Sequence, residues 1–240
     1  TIQRVALGAS EDGKLASLVH EGTGETSRYE QFVEALTANS SFMYACPNVA
    51  TRYRLAELDI STPTFMRGPG EASGVFALEC AMDELAYALK LDPIELRRRN
   101  EPTHDEGEGR PFSSRSLLQC YDTGSERFGW NRRDPQPRSM RDGRLMIGWG
   151  MATSTYPVLF NQANARVRMH PDGTADVEAA ASDMGPGTYT SMTHVAAEAL
   201  GLPMERIRFR LGRSDFPATP PHGGSQTMAS VGSAVRAACL

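Results

Sequence analysis

Near the start of the chain, 3–7 and 14–20 form two short strand-like runs of mixed apolar and polar residues around Ser10-Glu11-Asp12-Gly13. Asp-Gly at that spacing is a turn signal and predicts a hairpin. A helix is expected over 29–38 with Ser27 as its cap, then a mostly extended stretch over 44–60. The clearest pattern follows. Val75, Leu78, Met82, Leu85 and Leu89 recur at three and four residues, which predicts a helix over 72–91 with one apolar face. Acidic Glu71 suits its first turn, and Cys80 reads as a small buried hydrophobe on that face. Asp92-Pro93-Ile94-Glu95 opens a second helix as a capping box with proline at the first helical position. It ends in Arg97-Arg98-Arg99, read as cations in a last helical turn rather than a nucleic-acid patch.

Further on, 103–111 reads as a loop and 115–128 as a helix capped by Ser113 or Ser114. The stretch 131–143 is dense in Arg, Asp and Pro and is expected to link two domains, 1–130 and 144–240. Beyond it come a glycine-rich strand candidate, 145–154, and a second hairpin, 163–169 with 174–181. A helix over 189–200 follows, with Met192, Val195, Ala196 and Ala199 on one face and Gly201 as its stop. A strand at 207–211 and a helix over 226–240 complete the pattern. Hairpins interleaved with helices predict an α+β fold rather than a doubly wound parallel sheet.

Composition narrows the function. The chain has 240 residues, 40% hydrophobic and 22% charged, as in ordinary globular domains. A net charge of −4 argues against general nucleic-acid binding, and no apolar run is long enough for a membrane span. Cys46, Cys80, Cys120 and Cys239 are far apart with no Cys-x-x-Cys pair. A zinc or iron–sulfur site from this chain alone is therefore not expected. The chain opens on Thr1 already in a strand pattern and its last helical pattern runs to Leu240, so a piece of a longer polypeptide is expected. The compartment is left undecided.

Three glycine-rich loops run into helices: 62–71, 183–188 and 222–227. Free amides at a helix N-terminus attract anions, and Arg67 in the first loop either anchors an anion or braces the loop. Each loop alone has a plainer reading as a tight turn, with Thr188 or Ser225 as a helix cap. Neither later loop carries the Gly-Lys-[Ser/Thr] of a phosphate loop or the Gly-x-Gly-x-x-Gly of a nicotinamide site. His194 and His222 read as hydrogen-bonding residues rather than metal ligands. Together the loops suggest a phosphate-bearing cofactor, with no catalytic acid, base or nucleophile in view.

Met66-Arg67-Gly68-Pro69-Gly70-Glu71 with the helix after it resembles the signature of one family, the molybdenum-binding large subunits of xanthine dehydrogenases and aldehyde oxidases. So do Asp92-Pro93-Ile94-Glu95-Leu96-Arg97, Asp183-Met184-Gly185-Pro186-Gly187-Thr188 and Gly224-Ser225-Gln226-Thr227. The matches are collinear over essentially the whole chain and look most like the bacterial aldehyde oxidoreductase branch. The resemblance implies parts of two molybdopterin-binding α+β domains. It implies a molybdenum-bearing molybdopterin, in its cytosine dinucleotide form, and oxidation of an aldehyde or N-heterocycle with oxygen from water. Electrons would pass to Fe-S and FAD partner subunits, with neither nucleic acid nor membrane as a partner. Met66, Arg67 and Gly68 would lie near the metal. Gly185, Gly187, Thr188, Gly224, Ser225, Gln226 and Thr227 would hold the cofactor's phosphate side. Pro186 stands where the family has glutamine, which removes one side-chain hydrogen bond. The family's Gly-Gly-x-Phe-Gly loop and its Gly-x-Gly-Glu, which carries the general base, are not found. The segment alone is therefore expected to be inactive. The competing reading is a cofactor-free structural or assembly segment.

Overall fold

The computed structural model describes residues 1–157 and 159–240, in two compact units, Thr1–Tyr156 and Pro157–Leu240. In the first unit, β1 (Ile2–Ala9) pairs antiparallel with β2 (Leu15–Ser27), which pairs parallel with β3 (Val49–Leu58). The hairpin turns at Gly13, φ 81°. The helix expected over 29–38 does not form. Ser27 Oγ does accept the amides of Tyr29 and Glu30, each at 3.1 Å, as a cap would. Thr26 Oγ1, however, accepts the Phe32 amide (2.8 Å) and donates to the Glu30 carbonyl (3.0 Å). Those groups are then lost to a helical ladder, and only a 3-10 turn, Ala38–Ser41, follows.

The helix α1 (Glu71–Ala88) lays Val75, Leu78 and Met82 into a core with Leu18 and Tyr44. Cys80, expected inside, is exposed. It lies two residues past Leu78, about 200° round a helix that turns 3.6 residues per cycle. In α2 (Pro93–Arg99), Asp92 Oδ1 accepts the Ile94 amide at 2.8 Å, so half of the capping box stands. Glu95 pairs instead with Arg99 at 2.8 Å. Arg97 departs most from expectation. It is 0% exposed, and its guanidinium lies 2.8 Å from both Glu79 and Asp83. It is a buried tie between α1 and α2, not a solvated cation on a helix dipole.

After two short hairpin strands, β4 (His104–Asp105) and β5 (Arg110–Pro111), α3 (Leu117–Phe128) starts later than expected. Its N-cap position, Ser116, makes no side-chain cap bond. Of the strand expected over 145–154, only β7 (Leu145–Met146) forms, against β6 (Arg141–Asp142). Side chains from the helices hold the rest instead. Glu79 Oε2 accepts the Thr153 amide at 2.7 Å, and the Thr153 hydroxyl bonds the Tyr121 phenol. The first unit therefore continues through 131–143 to Tyr156.

The second unit holds the hairpin β8 (Arg166–Met169) and β9 (Ala175–Glu178), with β10 (Ile207–Arg210) on the other side of β9. β9 and β10 are parallel, Ile207 opposite Ala175 and Arg210 opposite Glu178. Parallel neighbours need a crossover, and α4 (Thr188–Leu200) supplies it, with α5 (Thr227–Cys239) following β10. Val177, Met192, Ala196, Phe209 and Val235 form its core. Each unit thus joins a small mixed sheet to helices, the α+β class expected.

Candidate functional site

Because β9 and β10 are parallel, the loops that follow them leave the same edge of the sheet. Three backbone bonds lace them together there. The Ala179 amide donates to the Arg210 carbonyl (3.2 Å), Ala180 to Pro217 (2.8 Å) and Gly212 to Ala181 (2.9 Å). Each loop then opens a helix, so two helix N-termini rise from the carboxyl end of one parallel pair. That edge is where sheets of alternating strand and helix take their ligands. The loop that carries Gly185, Gly187 and Thr188 and the loop that carries Gly224, Ser225, Gln226 and Thr227 thus both start from that edge.

In the first of these loops Gly185 (φ 115°) and Gly187 (φ 88°) occupy conformations that favour glycine. A Cβ built at either would meet no heavy atom within 4 Å, so both lie under open space. Gly187, not Thr188, holds the N-cap position, and Thr188 is the buried first residue of α4. Asp183 Oδ1 accepts the Gly185 amide at 2.8 Å. That amide, followed by those of Tyr189, Thr188 and Gly187, holds the Asp183 carboxyl below the usual carboxylate range. The chain's own anion thus shares this helix entrance.

In the second loop the one carboxylate, Asp215, is paired with Arg213 at 2.7 Å, and α5 has no acidic residue in its first turn. Gly223 lies under open space, and Gly224 and Ser225 have φ of 61° and 56°. Ser225 is not the cap; Gln226 holds that position without a side-chain cap bond. The Gln226 amide is only 8% exposed. It accepts from Asn161 Nδ2 and donates to the Pro221 carbonyl at 3.1 Å, so it braces the loop from within. Thr227 Oγ1 lies 3.3 Å from His222 Nδ1.

The third loop belongs to the first unit. Met66 is 77% exposed, and Arg67 is exposed with no salt bridge among the described residues. The helix entrance behind them is closed. The Gly70 amide donates to Glu34 Oε1 at 3.0 Å, and a Cβ on Gly70 would come within 2.6 Å of the Ala35 carbonyl carbon. Proximity to glycine gave no hint of Glu34. Asp183, two residues before a glycine, was legible as an Asx turn. Among the described residues no group of three or more His, Cys, Asp or Glu is placed to hold a metal ion, and no helix is long and apolar enough to cross a membrane.

Comparison with known proteins identifies the architecture. Two molybdopterin cofactor-binding domain families match, one over residues 1–101 and one over 123–240. The aldehyde oxidoreductase molybdenum-binding subunit of Escherichia coli (strain K12) is 38% identical over 249 residues, covering 100% of this chain and 33% of that protein. The xanthine dehydrogenase molybdenum-binding subunit of Escherichia coli O157:H7 is 30% identical, covering 89% of this chain and 30% of that one. The solved aldehyde oxidoreductase from Desulfovibrio gigas superposes with a TM-score of 0.82 at 26% identity, over 99% of this chain and 27% of its own. The chain thus spans about a third of the length of the curated relatives it matches. Matched in order by both families, the chain belongs to the molybdopterin cofactor-binding domains and is similar to part of the molybdenum-binding subunits of aldehyde oxidoreductases and xanthine dehydrogenases.

Proposed function

We propose that this chain supplies cofactor-holding loops of a molybdenum hydroxylase that oxidises an aldehyde or N-heterocycle. The observation that carries this reading is the pair of open glycine loops leaving one edge of the β9–β10 pair, each at a helix N-terminus. Backbone amides at Gly185, Gly187 and Thr188, and at Gly224, Ser225 and Thr227, are suited to the phosphate side of a molybdopterin. Gln226 contributes by holding its loop in shape, since both ends of its amide are engaged. By the family resemblance alone, Met66, Arg67 and Gly68 of the first unit are read as lying near the metal.

The residues fit such a group in space and in donors. Open volume above Gly185, Gly187 and Gly223 admits a ligand against the backbone. When bound, the cofactor supplies the redox chemistry, hydroxylating carbon with oxygen from water and passing electrons on. The chain's part is to bind and orient it through amides that need no reorganisation. The finer assignments rest on the family resemblance. They are a cytosine dinucleotide form of the cofactor and Fe-S and FAD partner subunits.

The test is cofactor content of the protein purified with its partner subunits from a host that makes molybdopterin. Gly223→Glu places a carboxylate at the α5 entrance, where an added Cβ meets no heavy atom within 4 Å. Molybdenum and released cytidine nucleotide should both fall at least about tenfold, as expected for a charge opposed to a bound phosphate. A soluble, folded variant with full molybdenum would defeat the assignment of this loop. Full molybdenum release without any cytidine nucleotide would remove the dinucleotide form alone.

A further inference from the structure

The exposed face of the first unit's sheet carries an uncompensated pair of arginines. Strand register aligns Arg4, Glu21 and Arg52 in one cross-strand row, and Ile2, Thr23 and Arg54 in the next. Paired residues share a face of a sheet, and these rows border a shallow cleft of about 160 Å³. Glu21 lies 3.3 Å from Arg4. Arg52 and Arg54 have no acidic partner within 4.0 Å among the described residues. Their Cα atoms stand about 6.6 Å apart, two strand residues on one face.

Both arginines lie on β3, which is ten residues long and ends the sheet order β1-β2-β3. One side of β3 pairs with β2 from Val49 to Leu58, and no described strand lies along the other. A long edge strand leaves backbone donors and acceptors free to pair with another chain. Charges on such an edge usually guard against pairing, and here they guard selectively. A second copy of β3 would set arginine near arginine. An extended segment with carboxylates at alternate positions would meet Arg52 and Arg54 as favourable cross-strand pairs.

We propose that β3 is a docking edge for an acidic, extended segment of a partner polypeptide, which adds as a strand with alternate carboxylates facing Arg52 and Arg54. Main-chain pairing would give affinity and the arginines would give choice of partner. The relatives are named as subunits, so a partner polypeptide is the natural source. The proposal does not depend on cofactor binding.

The probe is a short fluorescent peptide alternating glutamate with valine, titrated by anisotropy onto the full chain at low salt. It should bind, and its lysine–valine counterpart should not. Arg52→Gln/Arg54→Gln should weaken binding at least about tenfold, as should raised salt, because the pairs are solvent-exposed. A peptide with N-methylated alternate amides, which keeps the charges but cannot pair along an edge, should fail equally. Binding by the N-methylated peptide as tight as by the parent would replace strand addition with loose anion binding and overturn the proposal. So would undiminished binding by the double glutamine variant, or no binding of the acidic peptide to the unaltered chain. Circular dichroism of the variant shows that its fold is kept; should it unfold, the single Arg54→Gln variant carries the same test.

Discussion

The entrances of α1 and α5 are spelled alike, in glycine, proline and polar residues, and do opposite things. At α1 the glycines are there for packing. Gly74 lets the helix approach so closely that an added Cβ would overlap the Leu36 carbonyl oxygen, and the Gly70 amide is already held by Glu34. At α5, Gly223 faces open space and no acidic residue stands in the first turn. The entrance of α4 is intermediate, with open glycines and the Asp183 carboxylate on its amides. Glycine richness alone therefore does not mark a ligand loop. What separates the cases is whether the space a side chain would fill is occupied by protein.

The largest effect that would sharpen this contrast lies behind α1. Arg97→Met removes the cation that faces Glu79 and Asp83 and leaves buried charge unpaired. It should lower stability by about 3–5 kcal/mol, read as the urea midpoint. Gly74→Ala comes next. The gain in helix propensity, up to about 1 kcal/mol, is outweighed by collision with backbone, for a net loss of about 1–3 kcal/mol. Gly223→Ala at the α5 entrance should change stability by less than about 0.5 kcal/mol. Equal losses from the two glycine substitutions would erase the distinction between closed and open entrances.

A smaller effect is pH-dependent. His20 is fully buried, with Nδ1 2.7 Å from Ser40 Oγ and Nε2 3.0 Å from Gln3 Oε1. Burial holds its imidazole below the usual histidine value. The unfolded chain then takes up the proton first as pH falls. Stability is undiminished above about pH 6.5 and declines below it. The urea midpoint should therefore drop on going from neutral to mildly acid solution, and His20→Gln should flatten that slope; a slope unchanged in the variant would assign the acid sensitivity elsewhere. The smallest change in stability is expected for Asp183→Asn, an exposed group. Its interest is in binding, since removing the anion that shares the α4 amides should raise cofactor retention at low cofactor supply, measured as molybdenum per chain. Lower retention would mean that Asp183 shapes the loop more than it repels the ligand.

Elements with strong local signals were legible from sequence. The two Asp-Gly hairpins, the apolar faces of α1 and α4, the Asp92-Pro93 helix start and the Gly201 stop need only neighbouring residues, and they formed close to where the pattern placed them. The strand–helix–strand spacing of 174–211 also held the parallel β9–β10 crossover, although a parallel pair leaves no tight-turn signal of the kind that marks a hairpin. Where side chains competed with a regular backbone ladder, the side chains decided. Thr26 took the groups of the helix expected at 29–38, Glu79 took the amide of the strand expected at 145–154, and buried charge on α1 took Arg97 from the helix dipole.

The sequence by itself determined the α+β class, the order of most elements, the three glycine-rich loops and, through its motifs, the family. Such features depend on periodicity and on backbone preferences that act over a few residues. Tertiary structure alone decided which loop is closed by Glu34 and which stays open, and that Gln226 braces its loop from inside. It also decided that two loops far apart in the chain share one sheet edge. Burial, free volume and strand register depend on residues distant in sequence, and only folding brings those together.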